Sequence, residues 1–150
     1  MNLSELLFGR RHAAPTTLTA PPADANWRSI RPKTGPAVSA RLAESDGLVQ
    51  SSRGQMRYRA GADYVVTRAD GEQAVVEKSV FERTYRQRDD GKYEKRTDVT
   101  YRYFTLTRPV VVATNEGPQR ADRGDWIVQG VDGEIWPVTP RRAAEIYDQI

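Results

Sequence analysis

The chain contains two similar stretches, residues 63–87, DYVVTRADGEQAVVEKSVFERTYRQ, and residues 125–149, DWIVQGVDGEIWPVTPRRAAEIYDQ. They align without a gap when one is shifted by 62 residues. The positions that are identical in both stretches include Asp63/Asp125, Val66/Val128, Asp70/Asp132, Gly71/Gly133, Glu72/Glu134, Tyr85/Tyr147 and Gln87/Gln149. Self-similarity at a fixed spacing is the signature of a supersecondary unit that occurs more than once. The sequence therefore predicts a duplicated unit.

Each stretch begins with the pattern of a β-hairpin. Residues 63–67 are rich in β-branched and aromatic side chains, which favours a strand. An Asp-Gly pair follows in both copies, and its glycine supplies the positive φ that a tight turn needs. Residues 72–77 and 134–138 then predict the return strand. We expect Val66 and Val128 to be buried in equivalent places.

A short helix is predicted after each hairpin. In the first copy, Ser79 and Glu82 match the capping-box pattern, with Ser79 as the N-cap. In the second copy, Thr139 is the expected N-cap and Pro140 takes the first helical position, where its missing N–H costs nothing. The repeated element is therefore strand, Asp-Gly turn, strand and helix.

Further strands are predicted outside the repeat. They cover Lys92 to Arg96, Val99 to Thr107, Pro109 to Ala113 and an earlier segment that contains Val38, Ala40 and Leu42. Because the connections have hairpin length, the sheets should be mainly antiparallel. The predicted fold class is mainly β or α+β, built from two repeated β-hairpin–helix units. The first unit is expected over 37–88, and the linking strands with the second unit over 89–150.

Residues 1–36 are predicted to form a flexible basic arm, with five Lys or Arg and two acidic residues. Residues 1–12 have the pattern of a short amphipathic segment, and residues 13–25 are an Ala/Pro/Thr-rich tether that cannot bury enough apolar surface to order itself. The candidate docking residues of this arm, for a protein partner or an anionic membrane surface, are Leu3, Leu6, Leu7, Phe8, Arg10 and Arg11. A frayed terminus without a role is the alternative.

The repeated motif resembles a known family. The segments that carry the resemblance are Gly124 to Val128, Gly130 to Glu134, Trp136 to Val138 and Tyr147, with Ala62 to Val66 and Asp70 to Glu72 in the first copy. They are similar to the small bacterial and phage domain called PGDYG. The literal Pro-Gly-Asp-Tyr-Gly signature is absent, because Ala-Gly-Ala at 60–62 and Asp-Arg-Gly at 122–124 stand at its start. The resemblance implies a phage or prophage setting and brings no catalytic residues with it.

The composition excludes several kinds of chemistry. The chain has no cysteine and one histidine, His12, which excludes disulfides, thiolate metal sites and a Ser-His-Asp triad. Glycine-rich phosphate loops are absent, and no apolar run approaches the ~18 residues of a transmembrane helix. The sequence therefore predicts no catalytic residue, no cofactor and no metal ion. It favours a non-enzymatic, cytoplasmic module that binds an unknown protein partner.

Repeated acidic residues are the one pattern that suggests catalysis. Asp63/Asp125 and Glu72/Glu134 recur at equal spacing, as a pair of carboxylates for acid–base chemistry would. Aspartates before strands and acids in turns also satisfy nearby backbone N–H groups. A fold element repeats more readily than an asymmetric active site does. We therefore interpret these acids as structural.

Nucleic-acid binding is the alternative function, because basic and aromatic residues alternate over residues 83–102. Guanidinium groups beside aromatic rings suit phosphate contact and base stacking. The candidate contacts are Arg83, Arg86, Lys92, Lys95, Arg96, Arg102 and Tyr101. A solvated strand face, whose acidic residues offset the charge, is the competing interpretation of this segment.

Overall fold

The computed structural model describes residues 15–52 and 54–150 of the chain. Strands form 48% of the structure and helices 10%, which confirms the mainly β class with antiparallel sheets. The strands are β1 (Thr16–Leu18), β2 (Arg28–Pro32), β3 (Ser39–Leu42), β4 (Gly47–Ser51), β5 (Gly54–Tyr58), β6 (Asp63–Thr67), β7 (Gln73–Glu77), β8 (Tyr85–Gln87), β9 (Tyr93–Lys95), β10 (Tyr101–Thr105), β11 (Val110–Thr114), β12 (Gly117–Ala121), β13 (Trp126–Gln129), β14 (Ile135–Val138) and β15 (Tyr147–Gln149). The helices are α1 (Lys78–Thr84) and α2 (Pro140–Ile146).

The first unit consists of β3 to β9 with α1. Strand β6 pairs antiparallel with β3 on one side and with β7 on the other, across the Asp-Gly turn. After α1, β8 and β9 form a hairpin. A bridge between Val38 and Tyr93 joins this hairpin to the segment that leads into β3, with both N···O distances at 2.8 Å. The resulting strand order is β7-β6-β3-β9-β8, and the β4-β5 hairpin packs against β7.

The second unit consists of β10 to β15, α2 and the two N-terminal strands. Its sheet has the order β14-β13-β10-β2-β15, with every pair antiparallel. The β11-β12 hairpin packs against β14, as β4-β5 packs against β7. Strand β1 runs parallel to β11 on the outer side of that hairpin. From β10 to α2 the chain therefore follows the same course as it does from β3 to α1.

The two units differ in the source of the strand beside the final one. In the first unit β9 follows β8 along the chain, whereas in the second unit β2 fills the equivalent place next to β15. The same backbone contact follows in both cases. The N–H of Arg96 donates to the carbonyl of Thr84, and the N–H of Lys33 donates to the carbonyl of Ile146, both at 2.9 Å. Strand β2 thus completes the sheet of the second unit.

The predicted arm and unit boundaries need correction. In the described part of the predicted flexible arm 1–36, β1 lies within the predicted tether 13–25 and β2 follows it, with Ile30 of β2 fully buried. Their low apolar content is offset by backbone pairing with β10, β11 and β15. Residues 93–95 form β9 and belong to the first unit, so the boundary at 88/89 is also wrong. The predicted segment 1–12 lies outside the described residues.

Only one of the two helix N-caps predicted from the sequence is found in the structure. The Thr139 cap is confirmed, because its Oγ1 accepts a hydrogen bond from the N–H of Arg142 and Pro140 opens α2. The predicted capping box at Ser79 is wrong. Strand β7 runs directly into α1, whose N-cap is Glu77, so Ser79 is already helical. Its hydroxyl donates instead to the Glu77 carboxylate, at 2.7 Å.

The clusters of buried hydrophobic residues differ between the two units. One face of each sheet holds an aromatic-rich cluster around Val66 and Phe81 in the first unit and around Val128 and Tyr147 in the second. The burial of Val66 and Val128 is thereby confirmed. The second unit has another cluster on the opposite face of its sheet, under the β11-β12 hairpin. Its buried members are Phe104, Leu106, Val110, Val112, Ala121, Ile127 and Ile135, with Leu18, Ala25 and Trp27 packed against them.

Candidate interaction surface

The repeated acidic residues have structural roles in both units. The Asp63 carboxylate accepts a hydrogen bond from the N–H of Arg59 at 2.8 Å, and Asp125 accepts one from the N–H of Asp122 at 2.9 Å. Each of these contacts closes the turn before β6 or β13. Repetition of the carboxylates therefore reflects repetition of a turn, in agreement with the structural interpretation.

The glutamates that follow the Asp-Gly turns also accept backbone N–H groups. Glu72 accepts from the N–H of Ser52 at 2.7 Å, and Glu134 accepts from the N–H of Asp132 at 3.0 Å. The hydrogen bond from Ser52 lowers the pKa of the Glu72 carboxyl group below its ordinary value. Both glutamates thus hold turns in place.

The basic residues around β8 and β9 are paired with acidic neighbours. Arg86 bonds to Glu94 at 2.9 Å, and Arg96 bonds to Asp98 at 2.8 Å. The Arg96 guanidinium lowers the pKa of the Asp98 carboxyl group through this hydrogen bond. Arg83 pairs with Asp132, which links α1 of the first unit to the Asp-Gly turn of the second. A phosphate group would have to compete with a carboxylate at each of these three arginines.

The other candidate contacts for nucleic acid are dispersed. Lys92 lies in the β8-β9 turn, and the Lys95 ammonium lies 4.7 Å from the centre of the Tyr85 ring. Arg102 lies in the second unit, where it stacks 4.0 Å from the centre of the Trp27 ring and bonds to Gln129.

Tyr101 requires a correction as a candidate base-stacking residue. Its side chain is buried in the core of the second unit, against Trp136 and Tyr147. Burial raises the pKa of its hydroxyl above the ordinary tyrosine value. A buried ring cannot stack on a base, so Tyr101 leaves the candidate set. The candidate docking residues of the arm, from Leu3 to Arg11, lie outside the described residues.

A different surface emerges when the two hairpins are compared. In both, the residue before the turn donates its hydroxyl to the glycine carbonyl after it: Ser51 to Gly54 at 3.0 Å, and Thr114 to Gly117 at 2.6 Å. Both glycines have positive φ, 113° and 103°. These contacts equate β4 with β11 and β5 with β12, residue by residue, at an offset of 63.

The outer edges of these equivalent strands are occupied differently. Strand β1 covers the outer edge of β11, with Thr16, Thr17 and Leu18 opposite Val110, Val111 and Val112. In the described part of the chain, β4 pairs with β5 alone. We call the edge of β4 that faces away from β5 the open edge. Leu48, in the middle of β4, is 56% exposed.

Side chains near the open edge also differ from those of the second unit. Gly47, Tyr58 and Arg41 take the places of Val110, Ala121 and Phe104. A Cβ atom on Gly47 would overlap the Tyr58 hydroxyl, so the phenol ring lies across the backbone of β4. The Arg41 guanidinium stacks 5.5 Å from the centre of that ring. An apolar contact of the second unit is thus replaced by a hydroxyl and a cation.

Sequence reasoning did not single out Arg41, Gly47, Leu48 or Tyr58. The gapless offset of 62 applies after Asp63, whereas the equivalence of β4 with β11 has an offset of 63. A one-residue gap before Asp63 would have aligned Ser51 with Thr114. That gap was the signal for the second pair of hairpins.

Comparisons with models of known protein families, with curated proteins and with solved structures found no match for this chain. The resemblance to the PGDYG domain and the phage or prophage setting stay predictions. Among the described residues, neither helix is long and apolar enough to cross a membrane.

Proposed function

We propose that the protein is a non-enzymatic interaction module that binds an extended segment of a partner protein at the open edge of β4. The observation that carries this proposal is the contrast between the two hairpins. Strand β11 is covered by β1, whereas the equivalent edge of β4 is free of any strand within residues 15–52 and 54–150. The chain itself thus provides an example of the interaction that we propose.

The chemistry of a strand edge supports the proposal. Alternate backbone N–H and C=O groups of β4 point away from β5, where an added strand can replace water as their hydrogen-bond partner. An extended peptide satisfies such groups by adding a strand, while its alternate side chains provide specificity. The direction follows from β1, which runs parallel to β11. We therefore expect the partner segment to run parallel to β4.

The exposed leucine also supports a partner at this edge. Leu48 and Ile150 are the two large hydrophobic side chains that are strongly exposed among the described residues, at 56% and 64%. Strands at sheet edges are ordinarily protected by lysine, proline or a covering element. Leucine in the middle of an uncovered edge strand favours contact with another chain.

Nucleic-acid binding stays a prediction of the sequence, and no observation favours it over the proposal. Around β8 and β9, Arg86 and Arg96 already contact carboxylates. Its test is a titration with labelled oligonucleotides at low and high salt, since phosphate-driven binding weakens steeply as salt rises. The cytoplasmic location and the phage or prophage setting also stay predictions.

The proposal is tested by nuclear magnetic resonance with a peptide that copies β1. The ¹⁵N-labelled protein is titrated with the capped hexapeptide Pro-Thr-Thr-Leu-Thr-Ala, the sequence of residues 15–20. We expect saturable shifts of the β4 amide signals at millimolar peptide. Leu48→Lys should remove the shifts, because an edge lysine opposes strand addition. Ile150→Lys is the matched control, since it changes an equally exposed residue outside β4, and it should keep them.

Three outcomes would contradict the proposal. The first is the absence of shifts up to several millimolar peptide. The second is a set of shifts confined to β11, which would mean that the peptide replaces β1. The third is a concentration-dependent dimer, seen by sedimentation and abolished by Leu48→Lys, because a second copy of the chain would then occupy the open edge.

A further inference from the structure

The proposed function, on which the following rests, brings an added strand against the open edge of β4 in the register of β1. In the second unit, Thr16 enters opposite Val110, where Ala121 and Phe104 form an apolar surface. The position equivalent to Val110 is Gly47. An incoming strand in the register of β1 would therefore place its first residue opposite Gly47.

That place is occupied by a polar group. Because Gly47 has no side chain, the Tyr58 ring extends over the β4 backbone, with its hydroxyl in the volume that a side chain at position 47 would take. The ring lies half-buried at the end of β5. Its hydroxyl therefore lies next to the first residue of an added strand.

A positive charge accompanies the hydroxyl. Arg41 is exposed on β3 and stacks on the Tyr58 ring at 5.5 Å. Within the described residues, no carboxylate forms an ion pair with it. The nearby acids have other contacts: Asp63 pairs with Arg59, and Asp46 accepts the N–H of Ala60 at 2.9 Å.

We infer that the open edge selects a strand whose first residue, opposite Gly47, is aspartate or glutamate. The Tyr58 hydroxyl donates a hydrogen bond to this carboxylate, and the Arg41 guanidinium provides the countercharge. A charge-assisted hydrogen bond is about twice as strong as a neutral one. Two residues further along, an aliphatic side chain faces Val49, as Leu18 faces Val112 in the second unit. The recognised segment is therefore acidic–any–aliphatic in a parallel strand.

The experiment compares two peptides that differ only in charge, capped Pro-Glu-Thr-Leu-Thr-Ala and Pro-Gln-Thr-Leu-Thr-Ala. Dissociation constants are taken from the β4 amide shifts of the full chain. We expect the glutamate peptide to bind about tenfold more tightly at low salt, which corresponds to about 1.4 kcal/mol. The preference should shrink as salt rises, because the charges lie at the surface.

Variants of Arg41 and Tyr58 test which residue causes the preference for the glutamate peptide. Arg41→Gln should reduce it to about twofold or less, and Tyr58→Phe should reduce it partially. Arg57→Gln is the matched control, because Arg57 is an exposed arginine on the same hairpin, cross-strand from Leu48. It should keep the tenfold preference. Unchanged amide signals in β6 and β7 verify that each variant is folded.

The outcomes separate this inference from the proposed function. Equal binding of the two peptides at β4 would overturn the carboxylate preference and leave strand addition intact. If none of the three peptides binds, neither the two charged-or-neutral variants nor the Thr-containing copy of β1, both the inference and the proposed function are overturned. A preference that survives Arg41→Gln would overturn the role of Arg41.

Discussion

The backbone follows the same course in the two units, but the side chains on the sheet face under the β4-β5 or β11-β12 hairpin differ. In the second unit the hairpin face is apolar and is covered by β1, with Leu18 and Trp27 packed on Phe104 and its neighbours. In the first unit, Arg41, Tyr58 and Gln73 stand at the positions of Phe104, Ala121 and Ile135. Polar side chains therefore replace apolar ones at these three positions, whereas Val49 and Val65 of the first unit are buried like Val112 and Ile127 of the second.

The two units share the features on which the fold depends and differ at the surface. Both units keep the buried valine of the central strand and the aspartate that closes the preceding turn. The second unit needs the N-terminal strands, because β2 lies between β10 and β15. The first unit is complete without them. The open edge of β4 is where we propose that another chain binds.

The largest expected effect tests the dependence of the second unit on β2. Ile30→Ala should lower the free energy of unfolding by about 2–4 kcal/mol, because the side chain is fully buried among aromatic residues. Urea denaturation measures the change. The neighbouring exposed substitution Ser29→Ala is the control, with an effect below ~0.5 kcal/mol. A loss below ~1 kcal/mol for Ile30→Ala would mean that β2 is not integral to the core.

Substitutions of the two central valines test whether the units are equivalent. Val66→Ala and Val128→Ala should each destabilise the protein by about 1–3 kcal/mol, since both side chains are buried and their loss leaves a cavity. The double variant should lose the sum, because distant sites are additive when they share no partners. A loss of stability at only one of the two positions would show that the two valines are not equivalent.

A smaller effect distinguishes a covered edge from an uncovered one. Leu18→Ala should cost about 1 kcal/mol, because Leu18 packs against the second cluster of the second unit. Leu48→Ala, at the exposed position on β4, should cost less than ~0.5 kcal/mol. Thermal unfolding of the two variants measures both. Equal costs would imply that Leu48 is already covered.

The smallest expected effect is the contribution of Tyr147, in the second unit, to the pH dependence of stability. Burial raises the pKa of Tyr147 to about 12, and the hydroxyl accepts a hydrogen bond from Trp136 Nε1 at 3.3 Å. Unfolded tyrosine ionises near pH ~10. Above that pH the unfolded state binds fewer protons than the folded one, so stability falls as the pH rises toward 12. Tyr147→Phe should make this fall shallower in urea titrations between pH 9 and 11; an unchanged slope would contradict the assignment.

Much of the fold could be predicted from the sequence, because turns, strands and helix starts depend on residues that are close together in the chain. The Asp-Gly turns, the alternating strands around them and the Thr139-Pro140 helix start are all read from neighbouring residues. The Ser79 cap failed because a strand that continues directly into a helix moves the helix start upstream. Strands β1 and β2 were missed because their pairing partners lie more than 70 residues away.

The candidate site was harder to predict from the sequence than the fold was. The acidic and basic residues were visible in the sequence, but their pairing as Arg86–Glu94 and Arg96–Asp98 depends on the hairpin and the turn that follows. The open edge is defined by a strand that is present in one unit and missing in the other. Such a difference appears only when the two hairpins are compared in three dimensions.

Hydrogen exchange at the two equivalent edges measures directly whether the edge of β4 is uncovered while that of β11 is covered. In each hairpin, alternate amides point toward the partner strand and the others toward the outer edge. The outward amides of β4 should exchange much faster than those of β11, which β1 covers. Addition of the Pro-Glu-Thr-Leu-Thr-Ala peptide should slow exchange in β4 alone. Equal protection of the two edges in the free protein would show that the edge of β4 is not open, and the proposed strand addition would then be wrong.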